Sequence, residues 1–291
     1  MADNWKILRI LTTDQCNYNC SYCHNEGQKQ GEGSRDLSFD DFCMIMQAIE
    51  PLGIGKIIFS GGEPLINPET VRMIEWLDSN TDYEVCLATN VSLITEETAQ
   101  KLGQTKVAVT MQYPAADDAG YEQITGHSSE AFYDSIKLLD KYGVSHSFNF
   151  VLYPDIMDNL DAVIDHVIGS VKKITLLPYI EDGFNKISAG IIRRVTDILD
   201  STYASKSLDD EQGLTIWTFG NGGQVKLLQS PCYDHRIDLC RKHGELCLLP
   251  DMSLQKCIFD SASVSLKGLS VEEIRKTISD MWVSFERCIQ E

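Results

Sequence analysis

Residues 5–23 read WKILRILTTDQCNYNCSYC, and the order of events within them decides the fold. An apolar run, WKILRILTT, gives way at once to a polar loop carrying Cys16, Cys20 and Cys23. Comparable apolar runs recur at KIIFSGG (56–62), YEVCLATN (83–90), KVAVTMQY (106–113), SHSFNFVLY (145–153) and KKITLLPY (172–179). Each is rich in Ile, Val, Leu, Thr and aromatic residues, the composition of a buried strand.

Helical patterns lie between the runs. SFDDFCMIMQAIEPLG places Ser38 at an N-cap with Asp41 three residues on, a variant capping box. NPETVRMIEWLDSN offers Asn67 as a cap and Pro68 at the first helical position. TEETAQKLG opens on Thr95 and closes on Gly103, and HSSEAFYDSIKLLDKYG closes on Gly143. NLDAVIDHVIGS follows the fifth run. Strands alternating with helices imply parallel β/α units, which right-handed crossovers wind into a barrel or part of one. Six units fall short of the eight that close a TIM barrel. The expected fold is therefore α/β, a partial (β/α)6 TIM-type barrel over 1–205 with a C-terminal domain over 206–291. From about residue 183 the rhythm changes. One more helix (185–206) precedes a polar connector, SLDDEQG, a hairpin around Asn221-Gly222 and a last helix from Ser270. Function gathers at the C-terminal ends of barrel strands, so residues 16–23 and 61–64 fall on one rim.

Composition narrows the function. Charged residues make up 23% and hydrophobic residues 43%, with no long uncharged apolar run, so no membrane span is expected. The opening MADNWKILRI is not a signal peptide, and a cytoplasmic protein is expected. The net charge is −18, from 43 acidic and 25 basic residues. Such a surface repels phosphate backbones and argues against a nucleic-acid binder. It would attract a polyamine or amino sugar, although plain solubility explains it as well. Ten cysteines without an export signal point to metal or redox chemistry rather than disulfides. Cys43 and Cys86 read as small buried hydrophobes.

The loop itself admits three chemistries. CSYCH (20–24) is formally a c-type haem attachment site, but nothing exports the chain to where haem is attached. A structural zinc site needs four ligands, and His24, adjacent to Cys23, is a poor fourth. Three cysteines in one loop suit a cubane cluster with three irons held and the fourth open to an organic ligand. SGGEPL (60–65), one strand later, decides between them. Its glycines permit close approach to the backbone, and Glu63 can accept a hydrogen bond from an ammonium group.

On these two motifs the sequence resembles the radical S-adenosylmethionine (SAM) family. The resemblance implies a [4Fe–4S] cluster on Cys16, Cys20 and Cys23, with SAM chelating the open iron. It places Tyr22 near the adenine, and Gly61, Gly62 and Glu63 at the methionine ammonium. One-electron cleavage of SAM would then yield a 5′-deoxyadenosyl radical that abstracts hydrogen from a substrate. LRILTTDQCNYNC, LATN, VAVTMQ, YEQITG and FNFVL also resemble, in order, the GTP cyclase of molybdenum-cofactor synthesis. By that match Asn90 and Thr110 help hold SAM and Leu177 lies against it.

The stretch CRKHGELCLLPDMSLQKC (240–257) is similar to that cyclase's auxiliary-cluster segment and to the twitch and SPASM auxiliary domains. It implies a second [4Fe–4S] cluster and makes the C-terminal part a twitch-like iron–sulfur extension. Cys240 and Cys257 fit the pattern, His243 stands at its second cysteine position, and Cys232, Cys247 and Cys288 are further candidates. Cys232 or Cys247, left as a thiol, would be a hydrogen-atom donor to a substrate radical. The basic residues that hold GTP in the cyclase have no counterpart in GELCLLPD, and Arg9 alone is a thin triphosphate site. The expected activity is therefore epimerisation or dehydrogenation of a small polar metabolite, with a cationic amino sugar as the candidate class. The alternatives are a divergent GTP cyclase or a peptide-modifying enzyme. A flavodoxin or ferredoxin would supply the electron.

Overall fold

The six apolar runs form six parallel strands in a computed structural model that describes residues 7–23, 35–113, 115, 117–153, 160–170, 173–179, 189–202, 204–209, 213–228, 245–257 and 262–284. They are β1 (Ile7–Leu11), β2 (Lys56–Ser60), β3 (Glu84–Thr89), β4 (Ala108–Gln112), β5 (Ser145–Leu152) and β6 (Lys173–Pro178). Each pairs in parallel with the next in chain order. The return helices are α1 (Phe39–Ile49), α2 (Thr70–Asn80), α3 (Glu96–Leu102), α4 (Asp118–Thr125), α5 (Glu130–Lys141), α6 (Leu160–Ser170) and α7 (Ala189–Asp200).

Burial alternates along the strands because only one face of the sheet meets the helices. Leu8 and Ile10 of β1 share a core with Phe42, Ile45 and Ile49 of α1, all of them fully buried. Further round, Tyr113 meets Phe132 of α5 and Phe148 of β5 edge-on, each at 5.7 Å between centroids. The other, concave face is half-exposed along β4 and β6. A final helix, α8 (Val271–Val283), packs on α1, where Arg275 Nε donates to the carbonyl of Ala48 (3.1 Å). Its start is a complete capping box of Ser270 and Glu273.

The described C-terminal strands extend the same sheet from both of its edges. β7 (Ser205–Asp209), β8 (Leu214–Thr218) and β9 (Gln224–Leu228) form an antiparallel meander, with β9 parallel to β6. β10 (Glu245–Leu248) lies parallel to β1 on the opposite flank, and β11 (Ser253–Gln255) and β12 (Ser263–Ser265) follow it antiparallel. The twelve strands run in the order β12-β11-β10-β1-β2-β3-β4-β5-β6-β9-β8-β7. The partial α/β barrel is as expected from sequence.

Three local expectations change. Asn67 does not cap α2, which begins at Thr70. Its amide instead donates to the carbonyls of Thr12 (2.9 Å) and Leu37 (3.0 Å), and its oxygen accepts from Glu69 N–H (2.9 Å). The helix expected over 185–206 ends at Asp200, and residues 205–206 join 207–209 of the polar connector in β7, an edge strand that leaves Leu208 exposed. α4 was not foreseen; it is short, and Asp117 caps it. Among the described residues no helix is long and apolar enough to cross a membrane.

Candidate functional site

β1 and β2 are in register to their last residues, Leu11 opposite Ser60, so the loops that follow leave from one level of the rim. The pairing continues beyond the strands. Thr12 N–H donates to Ser60 O (3.0 Å), Gly62 N–H to Thr13 O (3.0 Å) and Glu63 N–H to Gln15 O (2.7 Å). The cysteine loop is thereby laid along the Gly-Gly-Glu strip. A Cβ on Gly62 would stand 1.9 Å from Gln15 O and 2.8 Å from Cys16 N, and one on Gly61 2.5 Å from Thr13 O. Gly61 also holds a φ of +139°, which other residues rarely adopt. The sequence suggested that these glycines make room for a ligand. In the structure the protein's own cysteine loop occupies the space beside them.

Glu63 is fully buried. Its Oε1 accepts from Thr89 Oγ1 (2.7 Å) and Leu65 N–H (3.1 Å), and its Oε2 from Asn90 N–H (2.7 Å). The carboxylate thus clamps the end of β2 to the end of β3. Burial pushes its pKa up to about 6, against the pull of those three bonds. Val91 follows with a left-handed backbone (φ 60°), unusual for a β-branched residue. Val91 N–H bonds to Thr89 Oγ1 (2.9 Å), and Ser135 Oγ bonds to its carbonyl (2.7 Å). That turn aims Asn90 at the cysteine loop, where its Nδ2 donates to Asn17 Oδ1 (2.9 Å) and its side chain bonds the Cys16 sulfur.

Cys16 and Cys20 are half-buried and Cys23 is exposed. Burial raises the Cys20 thiol to about 11, and the neighbouring Cys23 and Cys16 add to the effect. Cys16 is raised for the same leading reason, while an N–H from Tyr18 to its sulfur (3.4 Å) opposes the shift. Cys16 and Cys20 therefore feel the charge of each other and of Cys23, and hold their protons until a metal displaces them. Among the described residues no three His, Cys, Asp or Glu side chains are grouped to hold one metal ion. Cysteines of a cubane each hold a different iron, so this all-sulfur set with an N–H donor on one sulfur fits such a cluster.

The other expected contacts are spread over the rim and the concave face. Tyr22 is half-buried, bonds Cys20 through its hydroxyl and has its ring 6.3 Å from that of Tyr153. Thr110 Oγ1 lies 3.3 Å from both Cys86 Sγ and Ser147 Oγ. Leu177 stands opposite Val151, one strand over. Thr89, Asn17 and Ser135 went unnoticed in the sequence, where strand-end Thr, Asn and Ser carry no distinctive signal.

Of the second cysteine group, Cys247 is fully buried in a small apolar cluster with Leu11 and Leu249. Cys257 is half-buried and follows β11, which runs antiparallel to β10 and so leaves toward the end of the sheet where β1 begins. Cys232, Cys240, His243 and Cys288 lie outside the described residues. Arg9 Nε donates to Glu245 at 2.6 Å, so its charge is already balanced.

The Radical SAM superfamily profile matches residues 10–167, from β1 through most of α6. The chain belongs to the radical SAM superfamily. Membership implies a [4Fe–4S] cluster and SAM. It is 33% identical over 168 residues to a probable GTP 3′,8-cyclase of Methanococcus aeolicus, covering 55% of each chain. This match spans only about half the length of that relative. A probable GTP 3′,8-cyclase of Methanocella arvoryzae is 24% identical over 275 residues, which cover 93% of this chain and 87% of that one. The solved structure of native anSMEcpe with bound AdoMet superposes with a TM-score of 0.69 at 15% identity, covering 95% of this chain and 80% of that one. At such low identity it shows the shared partial-barrel fold.

Proposed function

We propose that this enzyme holds a [4Fe–4S] cluster on Cys16, Cys20 and Cys23, binds SAM beside it, and abstracts hydrogen from a small polar metabolite. The outcome would be epimerisation or dehydrogenation. The observation that carries this reading is the pair of bonds Gly62 N–H to Thr13 O and Glu63 N–H to Gln15 O, which fasten the cysteine loop to the Gly-Gly-Glu strip. When bound, the cluster and SAM supply a 5′-deoxyadenosyl radical. The chain's part is to seat them. Asn90 orients Cys16, the Glu63 clamp fixes the rim, and Tyr22, Thr110 and Leu177 would bound the SAM pocket with Gly61 and Gly62. The half-exposed concave face below the rim offers a place where substrate is held apart from bulk water.

A second [4Fe–4S] cluster on Cys240 and Cys257, completed from Cys232, His243, Cys247 and Cys288, remains part of the proposal. So does a hydrogen-donating thiol at Cys232 or Cys247, although complete burial of Cys247 suits a packed thiol better than one facing substrate. A cytoplasmic flavodoxin or ferredoxin would deliver the electron. A GTP cyclase activity is the second reading, favoured by the relatives with that name. The Arg9–Glu245 pair weakens it by balancing the arginine expected to meet a triphosphate.

Anaerobic reconstitution followed by iron and sulfide counts, then reduction with dithionite in the presence of SAM, tests the proposal. Roughly eight irons per chain and formation of 5′-deoxyadenosine support it. About one zinc per chain and no 5′-deoxyadenosine would overturn it.

A further inference from the structure

The concave face carries a charge that the cofactor site does not use. Along β4, β5, β6 and β9 the helix-facing residues Val109, Phe150, Leu176 and Leu227 are buried and apolar. On the opposite, half-exposed face, four side chains are direct register partners. Gln112 stands opposite Asn149, Asn149 opposite Thr175, and Thr175 opposite Lys226. With neighbouring strands about 4.8 Å apart, the row spans roughly 14 Å, the reach of a small metabolite. The row lies one level below Leu177 and Val151 and one level above Thr110 and Ser147.

Three observations mark it as a binding surface. Lys226 forms no hydrogen bond or ion pair with the described residues. Gln112 Oε1 is buried with no donor, an arrangement native proteins avoid unless a ligand or water completes it. Finally, β4, β5, β6 and β9 contain no Asp or Glu at all, in a chain whose net charge is −18. These four strands therefore bring no carboxylate to the face that Lys226 occupies.

We propose that Lys226 holds the single anionic group, carboxylate or phosphate, of a hydroxylated small metabolite. Gln112 accepts a hydrogen bond from one of its hydroxyls, and Asn149 and Thr175 pair with the groups between. This assignment rests on the hydrogen-abstraction reading above and replaces the expected cationic substrate with an anionic one. The net charge suggested a cation only because it sums over surfaces the substrate does not touch. One lysine acts as a point charge and suits one anionic group better than a triphosphate.

The test is calorimetric titration of the anaerobically reconstituted full chain with gluconate, glucose 6-phosphate, glucose, glucosamine and GTP. The expected result is binding of gluconate or glucose 6-phosphate, whichever anion the site prefers, with glucose weaker. Lys226→Gln should weaken the preferred anion on the order of 10- to 100-fold, the range of a hydrogen bond to a charged group. Lys226→Arg should keep most of the binding. Gln112→Ala should weaken the hydroxylated anion without restoring glucosamine. In the unmutated chain the preferred anion should also protect Lys226 from acetylation by acetic anhydride, read by peptide mass spectrometry, which needs no variant to fold. Tighter binding of glucosamine than of either anion, equal anion affinity in Lys226→Gln, no protection of Lys226, or GTP binding that ignores Lys226 would each overturn the proposal. The titrations need no turnover. Absence of 5′-deoxyadenosine from the reduced wild-type enzyme would therefore sink the hydrogen-abstraction reading and leave the anion result standing separately.

Discussion

Replacing Gly62 with alanine puts a methyl group where the cysteine loop runs. Its Cβ would stand 1.9 Å from Gln15 O, 2.2 Å from Gln15 C and 2.8 Å from Cys16 N, all backbone atoms with no flexible side chain to swing aside. Ordinary contact begins at 3.4 Å, so the loop must retreat by about 1.5 Å, an overpacking displacement. That retreat strains the bond from Glu63 N–H to Gln15 O and carries Cys16 away from the rim. Overpacking of about 1–3 kcal/mol plus one weakened bond of about 1 kcal/mol gives a loss of roughly 2–4 kcal/mol. For a chain of this size the apparent Tm falls on the order of 5–10 °C. Thermal unfolding of the metal-free protein, followed by circular dichroism, reads the first effect. Iron counted after anaerobic reconstitution reads the second and should drop by the content of one cluster. Gly169→Ala is the matched control, because that helical glycine has nothing within 4 Å of its Cβ position. It should stabilise by up to about 1 kcal/mol. A Gly62→Ala protein that melts within about 1 °C of wild type and takes up its full iron would refute the packing argument.

Three further outcomes follow from the site. Glu63 has a folded pKa of about 6 against an ordinary 4.5, so its charged form is the disfavoured one and burial lowers stability above pH 6. That loss is relieved as pH falls from 6 toward 4.5. Between pH 7 and pH 5, metal-free wild type should gain roughly 1–2 kcal/mol relative to Glu63→Gln in urea unfolding; a change in the opposite direction would exclude a raised pKa. Asn67→Ala removes the side-chain donor from the Leu37 carbonyl, while the Thr12 carbonyl keeps the Leu37 N–H (2.8 Å), and should cost about 1–3 kcal/mol by the same assay, with a loss below about 0.5 kcal/mol counting against the pinning role. Alanine at Cys16, Cys20 or Cys23 should abolish 5′-deoxyadenosine formation under dithionite, and any of the three that still cleaves SAM is not a cluster ligand.

Much of this molecule was legible in the chain because its signals are local. Apolar runs of seven to nine residues, separated by capped amphipathic stretches, announce parallel β/α units without knowledge of any partner. Ser38 and Thr95 act as caps because a hydroxyl two or three residues from an unpaired N–H needs nothing else. Asn67 misled for the complementary reason: its amide bonds carbonyls 55 and 30 residues away, and no local pattern records them.

The sequence alone therefore determined the partial barrel, the rim where chemistry gathers and the three cysteines on it. Each rests on residues close together in the chain or on a periodicity the chain carries within itself. Only the tertiary structure decided what stands beside what. It put the cysteine loop in the space beside two glycines, turned Glu63 inward as a clamp between strands, and sent the last strands to opposite edges of the sheet. It also set Lys226 level with Thr175, through a pairing of β6 with β9 across an intervening helix and hairpin. A period of two residues reports that a strand has a buried face; it is silent about which strand lies beside it, because register is settled by packing between segments distant in sequence.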